Sequence, residues 1–258
     1  MEDVISAARL WPVWLRLGLQ DVRLRFRRSG LGAGWIFLNL AITLLAIGVV
    51  YSRLLGRDLG EFLPFLTVGL IVWGYISSSI VEGGNAFIAS EGYIKQISLP
   101  MYVYVFRFFV STSLTMLISF LAYPVVALIY GVGFYWGTLW ALLGIFLLGT
   151  VSFLLTAIFA HLNTRFRDAA HIASLGLQIM FYVTPVIWPP EMLRDRGLPW
   201  IIDLNPLYHL LEVIRQPLLY SQPASPLNYQ AVGIFIVVLA IIAGTLTRLY
   251  RRHLVYFL

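Results

Sequence analysis

The residue types that most often carry out chemistry are sparse in this sequence. It has no cysteine, and its histidines at 161, 171, 209 and 253 lack the spacing of a metal site. No GxxxxGK[ST] loop is present to bind a nucleoside triphosphate, and neither an HExxH motif nor a GxSxG elbow occurs. Ser152 and His161 are the nearest approach to a serine-protease pair, but Ser152 lacks a Gly-x-Ser setting. We therefore expect no catalytic residue, no metal and no nucleotide site in this chain.

The composition indicates lipid rather than water as the main solvent. The 258 residues are 60% hydrophobic and 12% charged, whereas soluble chains are about 45–50% apolar and about 25% charged. Six apolar runs approach or exceed the roughly 20 residues that a membrane-spanning helix needs. They are residues 33–52, 62–81, 101–130, 137–161, 172–188 and 229–250. Because the runs are too long for barrel strands, the sequence predicts an all-α membrane protein with six transmembrane helices.

The basic residues predict the orientation of these spans. The net charge is +6, but the arginines flank apolar runs, which indicates orientation signals and contacts with lipid headgroups rather than nucleic-acid binding. With the N-terminus inside, only five of the 18 basic residues lie in outer loops: Arg53, Arg57, Arg194, Arg196 and Arg215. We therefore predict a multi-pass protein with both termini in the cytoplasm.

Two cytoplasmic segments have helical patterns. In the N-terminal arm, residues 1–32, one helical face carries Arg9, Arg16, Gln20, Arg23 and Arg27 and the rest is largely apolar, so we predict an amphipathic interface helix. The segment 82–99 has a weak apolar face of Phe87, Ile94 and Ile97 and an ion-pair spacing between Glu91 and Lys95. Each segment is either a generic connector or a docking surface for a partner.

Two further loops carry polar groups. Residues 163–168 place Arg165, Arg167 and Asp168 in a short cytoplasmic turn, which is either a solvated loop or a contact site. The proline-rich outer loop 189–228 contains two apolar stretches, 198–204 and 207–219, that are too short to span. We predict that they form short re-entrant helices separated by Asn205 and Pro206, and that polar positions among them face a water-filled vestibule. The alternative is an outer loop with no gating role. The polar positions are Asp203, Glu212 and Arg215.

The spans contain aromatic residues but almost no charge. No Asp, Glu or Lys lies in their apolar centres, and Arg107 is close enough to the cytoplasmic end of its span to snorkel to the surface. An ion-coupled transporter would need such carboxylates, so energy for uphill movement would have to come from another subunit. The aromatic residues within spans either pack between helices or line a pore where sugar rings could stack: Trp73, Tyr75, Tyr123, Phe181 and Tyr182.

Taken in order along the chain, these stretches resemble the membrane subunits of ABC-2 type exporters, particularly permeases for O-antigen and related polysaccharides. The matching stretches are 21–32 with Trp35, 62–73, 82–100, 165–168, 184–188, 204–208 and 212–215. One departure is Phe166, which stands where the family's Arg-Tyr-Arg-Asp motif has tyrosine. The resemblance covers nearly the whole chain and implies one transmembrane domain over 1–258, with spans one to five in 33–188, an outer gating loop in 189–228, and span six and a tail in 229–258.

The resemblance also implies the missing source of energy. Such permeases form homodimers with two nucleotide-binding ATPase subunits, which bind ATP and Mg²⁺, and move a polyprenyl-diphosphate-linked glycan across the bacterial inner membrane to the periplasm. The residues implied for ATPase coupling are Glu82, Phe87, Glu91, Lys95, Arg23 and Arg27. Those implied for the outer gate are Asp203, Asn205, Pro206, Glu212 and Arg215. Alternatives are an ABC-2 permease for capsule, teichoic acid or a small lipophilic molecule and, more remotely, an ion-coupled secondary transporter.

Overall fold

The computed structural model describes residues 2–250 and residue 254, apart from the side chain of Glu2. Most of the predicted cytoplasmic tail, including Arg251 and Arg252, lies outside these described residues. Within them the secondary structure is helical and contains no strand, which confirms the predicted all-α class.

The N-terminal arm forms two helices rather than the single helix predicted: α1 (Glu2–Arg9) and α2 (Trp11–Phe26). The break lies at Leu10, and Pro12 stands in the first turn of α2, where its missing N–H costs no helical hydrogen bond. Trp14 of α2 links the two helices across this break, since its indole Nε1 donates to the carbonyl oxygen of Ala7 in α1 at 3.0 Å.

The first two spans are α3 (Gly34–Leu55) and α4 (Leu59–Val81). α3 ends at Gly56, whose φ of 63° lies in the left-handed region that glycine adopts without strain. α4 is the most deeply buried of the spans, and its neighbours include α3 and several helices described below. Two 3₁₀ turns, at 83–85 and 88–90, then lead to the short helix α5 (Glu91–Gln96).

The third predicted span, 101–130, is present but interrupted. It consists of α6 (Tyr102–Phe120) and α7 (Ala122–Tyr130), which meet at Leu121. Pro124 explains the interruption, because a proline has no N–H to bond the carbonyl four residues earlier, on Phe120.

The next two helices are α8 (Trp140–Arg165), preceded by a 3₁₀ turn at 136–139, and α9 (Ala169–Val183). α9 has 15 residues. At about 1.5 Å per residue it is about 22 Å long, shorter than a hydrocarbon core of about 30 Å. The predicted fifth span, 172–188, therefore ends early, because Thr184 leaves the helical conformation just before Pro185.

The outer loop contains α10 (Glu191–Arg194), α11 (Pro199–Asp203) and α12 (Pro206–Tyr220), and α13 (Pro226–Tyr250) follows. Among the described residues, five helical segments are long and apolar enough to cross a membrane: Gly34–Leu55, Leu59–Asn85, Tyr102–Tyr130, Trp136–Arg165 and Pro226–Tyr250. A sixth crossing by α9 and a re-entrant path for the outer helices remain predictions.

The core forms where α4, α6 and α8 meet, with α12 and α13 packed against α8. The 83–85 turn lies directly on α8, since a Cβ at Gly83 would be 2.6 Å from Thr156 Oγ1 and one at Gly84 would be 2.6 Å from Asn163 Nδ2. The paired glycines thus let the segment after α4 fold back onto the end of α8.

Candidate functional site

The N-terminal arm is attached to the bundle by an ion pair that the sequence pattern did not reveal. Arg107 on α6 donates from Nε and Nη2 to the two carboxylate oxygens of Asp21 on α2, both at 2.6 Å. Arg107 was expected to snorkel to the cytoplasmic face, but its guanidinium is instead held by Asp21 in a partly buried position. The separation of 86 residues hides such a partner from any local spacing argument.

The segment 82–99 divides into a buried part and an exposed part. The predicted pair is present, with Lys95 Nζ 2.5 Å from Glu91 Oε1 on exposed sides of α5. Glu82 forms a second, exposed ion pair with Arg25 of α2. Phe87 is fully buried, with its ring edge-on to His161 at 5.1 Å.

The apolar face predicted from positions 87, 94 and 97 is therefore wrong at Phe87, because the glycine turn presses this segment onto α8. The large exposed apolar side chains of the segment are Ile88, Tyr93 and Ile97. Ile88 and Tyr93 would lie on a different helical face from Phe87. A helical pattern built around Phe87 therefore does not include them.

The charged turn between α8 and α9 is open to solvent. Arg165, Arg167 and Asp168 are exposed, and the Arg165 guanidinium lies over the Phe166 ring at 5.1 Å. Arg23 of α2 and Arg27, which directly follows α2, are exposed as well. The predicted polar residues of these segments are thus accessible to a partner.

The predicted break between the outer helices is confirmed at Asn205. Its Oδ1 accepts from the backbone N–H groups of Leu207 and Tyr208, which caps α12 directly before Pro206. Its Nδ2 donates to Thr184 Oγ1 at 2.9 Å, in a buried contact. One side chain therefore starts α12 and ties it to the end of α9.

Arg215 does not face a vestibule, contrary to expectation. It is 1% exposed, and its guanidinium donates to the carbonyl oxygens of Pro185 and Val186 at 2.6 and 2.7 Å. The guanidinium carbon also lies 3.7 Å from the centre of the Phe65 ring. Burial lowers the pKa of Arg215 to about 10, so the side chain is still charged at neutral pH.

The other two polar positions border an outer cavity of about 520 Å³. Glu212 is buried rather than facing water as expected, accepts from Gln216 Nε2 at 2.7 Å, and has a pKa that burial raises. Asp203 is exposed and pairs with Arg194 at 3.2 Å. His209, which lines the same cavity, bridges Asn228 at 2.7 Å and the Asp203 carbonyl at 2.9 Å and so joins α12 to the start of α13. The outer helices are thus held by a polar network.

The five aromatic residues predicted within spans have different surroundings. Tyr75 and Tyr123 are buried, bonding Ser113 Oγ at 2.6 Å and the Leu218 carbonyl at 2.5 Å, so both pack between helices. Trp73 meets Phe181 at 5.4 Å between ring centroids and thereby joins α4 to α9. Tyr182 is 67% exposed.

Tyr182 belongs to a polar stripe on α9 that the sequence reasoning missed. None of the residues of α9 is buried. Its exposed polar side chains recur at spacings of three and four residues, which places them on one helical face: His171, Ser174, Gln178 and Tyr182. The spacing is visible in the sequence, although the exposure of that face is a result of tertiary packing.

Comparison with known proteins identifies the family of this chain. Residues 14–219 match the ABC-2 type transporter family. The chain belongs to this family. The curated relatives include O-antigen export system permease protein RfbA of Myxococcus xanthus, 26% identical over 193 residues covering 74% of each chain. A protein of the same name from Klebsiella pneumoniae is 26% identical over 217 residues, covering 83% of this chain and 82% of the relative. As an ABC-2 type permease, the chain is a multi-pass membrane transport protein, and its family implies an ATPase partner.

Proposed function

We propose that this chain is the permease subunit of an ATP-driven exporter of a polyprenyl-diphosphate-linked polysaccharide of the O-antigen type. The observation that carries the proposal is the polar stripe of α9. A helix in a membrane bundle exposes four polar side chains on one face, and lipid would penalise that face whereas a hydrated pathway would not. The names of the relatives supply the class of cargo.

The pathway forms between two copies of the chain, each contributing the stripe of α9. A glycan presents hydroxyl groups and flat sugar faces, which suit an amide such as Gln178 and an exposed aromatic ring such as Tyr182. Trp73 and Phe181 lie behind this face and keep α9 against α4. Tyr75 and Tyr123 act in helix packing rather than on the glycan.

Two ATPase subunits bind ATP and Mg²⁺ and dock at the exposed charges of the cytoplasmic end. The contact consists of Glu91 and Lys95 on α5 with the apolar groups Tyr93 and Ile97 beside them. Phe87 anchors this surface from inside the bundle. Further contacts come from Arg23, Arg27, Glu82, Arg165, Arg167 and Asp168.

In this proposal α9 completes a sixth crossing, so that both termini are cytoplasmic in the bacterial inner membrane. The outer helices close the far end of the pathway and are re-entrant. Asn205 caps α12 at Pro206 and bonds Thr184, His209 bonds the Asp203 carbonyl, and Arg215 bonds the carbonyls of the turn after α9. These separate contacts, beside the cavity that Glu212 lines, hold that gate closed.

The direct test is co-purification from the native host. Tagged permease in mild detergent should retain an ATPase subunit, and the complex in lipid nanodiscs should hydrolyse ATP while the permease alone does not. A host lacking the chain should lose a surface glycan and accumulate its lipid-linked form inside. Loss of capsule or teichoic acid instead would assign a different cargo, and an isolated chain that hydrolyses ATP would refute the separate ATPase.

The stripe itself is tested with bulky substitutions on α9. We expect Gln178→Trp to abolish surface glycan display at normal membrane abundance, because the ring narrows a hydrated pathway. Ile179→Trp is the matched control, since Ile179 is exposed on the same helix about 100° around from Gln178. Normal display with Gln178→Trp would exclude this face from the pathway.

A further inference from the structure

We propose that Asp21 and Arg107 form a positioning joint that makes the N-terminal arm, the segment after α4 and helix α6 move as one body. This inference rests on the proposed function, since it describes how motion of the ATPase subunits would reach the membrane helices. Neither residue belongs to the exposed docking surface, and the two act through the elements they hold together.

The first observation is the closeness of α2 to α6. Gly18 is the buried residue of α2, and a Cβ there would lie 2.8 Å from the Arg107 carbonyl oxygen. One turn earlier, the Trp14 ring stacks on Phe106 with centroids 5.0 Å apart. The Asp21–Arg107 pair extends this contact by one more turn, so the arm is fixed to α6 along much of its length.

The second observation is that Arg107 reaches a third element. Its Nη1 lies 3.4 Å from Ser90 Oγ, and Ser90 is fully buried in the 88–90 turn. Its guanidinium carbon is 5.5 Å from the centre of the Tyr93 ring on α5. One guanidinium therefore contacts the arm, the turn and the helix that carries Glu91 and Lys95.

The third observation concerns burial. The side chains of Arg107 and Asp21 are 13% and 21% exposed, whereas Arg25 and Glu82, which also link the arm to this segment, are 39% and 38% exposed. Exposed pairs are weak and screened by salt, whereas a two-pronged carboxylate–guanidinium pair shielded from water fixes both distance and angle. The partly buried Asp21–Arg107 pair is thus better suited than the exposed pair to transmit a displacement between the arm and α6.

The test separates coupling from folding with Asp21→Asn, which keeps the shape of the side chain and removes its charge. In the permease–ATPase complex, we expect normal membrane abundance, normal ATPase retention and ATP hydrolysis close to that of the native complex. Glycan exported per ATP hydrolysed should fall about tenfold, within the range of typical coupling free energies. Arg57→Gln is the matched control, because it breaks an exposed pair with Glu191 elsewhere in the molecule and should leave the ratio unchanged.

A second experiment tests whether other substitutions at these two positions rescue coupling. The exchanged pair Asp21→Arg with Arg107→Asp should restore part of the ratio, because it rebuilds the ion pair between the arm and α6 but not the contacts of Arg107 with Ser90 and Tyr93. Arg107→Lys, a milder change, should give an intermediate ratio. An unchanged ratio in Asp21→Asn would overturn the inference, as would equal losses of export, hydrolysis and abundance, which indicate a purely structural pair. If the native chain retains no ATPase subunit at all, the proposed function is refuted, and the joint that rests on it is refuted with it.

Discussion

At the scale of single residues, Arg215 compensates for a break in the helical hydrogen-bond pattern. α9 ends before Pro185, so the carbonyl oxygens of Pro185 and Val186 have no helical donor in a buried turn. An unpaired buried carbonyl costs about 1–3 kcal/mol. The guanidinium of Arg215 donates a hydrogen bond to each of these carbonyl oxygens. Gly69 on α4 has no side chain and so leaves space for the guanidinium.

This arrangement predicts different effects for two glycines on the same helix. A Cβ at Gly69 would lie 2.7 Å from the Val186 carbonyl oxygen, whereas one at Gly74 would meet nothing within 4 Å. Gly69→Ala should therefore destabilise the permease by about 1–3 kcal/mol through overpacking. Gly74→Ala, its control, should not destabilise it. The thermal unfolding midpoints of both variants are measured in detergent. Equal midpoints would show that the Arg215 guanidinium can move to accommodate the added methyl group without loss of stability.

At the scale of elements, the cytoplasmic segment after α4 has a first part that is buried against the bundle and a second part, α5, that is exposed. Phe87 and Ser90 are buried in the bundle, and α5 projects Glu91, Lys95 and Tyr93 outward. An exposed i,i+4 pair contributes only about 0.3–0.5 kcal/mol to its helix. Large functional effects of changing it would therefore have to come from a partner rather than from folding.

We accordingly expect Glu91→Lys and Lys95→Glu each to reduce glycan display strongly while membrane abundance stays normal. The double variant keeps an ion pair on α5 but reverses its direction, so it should remain defective if the charges meet the ATPase subunit. Display and abundance are measured on the same cells by glycan staining and immunoblotting. Normal display in both single variants would move the docking surface away from α5.

At the scale of the whole molecule, the end of α9 and the outer helices are linked by short polar contacts. Asn205 bonds Thr184, His209 joins α12 to α13, and Arg215 holds the turn after α9. A gate that opens at α12 must break some of these contacts, whereas a gate that moves together with α9 would keep them.

Cysteines at 184 and 205 distinguish these two modes, and the native sequence contains no cysteine to interfere. Oxidation of the Thr184→Cys, Asn205→Cys variant should block export reversibly if α12 separates from α9 during opening. Disulfide formation is followed by mass spectrometry, with each single cysteine variant as the control. Cross-linked protein that exports at the native rate would indicate that the two elements move as a unit.

Features that depend on composition and local pattern could be predicted from the amino-acid sequence alone. Long apolar runs predicted the spans because lipid leaves backbone groups to be satisfied within helices, and Asn205 with Pro206 predicted the break before α12 because capping and proline act over a few residues. Ordered motifs predicted the family. The break at Pro124 and the early end of α9 at Thr184 were missed, although each depends on a local proline.

Which polar residues are buried, paired or exposed depends on how the helices pack, and the sequence pattern did not predict it. Glu212 and Arg215 were expected to face water together, yet both side chains are buried, and Arg107 is paired with a residue 86 positions away. Phe87 was expected on a surface and lies in the core. The reason is physical: a helical pattern fixes which residues share a face, but the face that another helix covers depends on packing between segments distant in the chain.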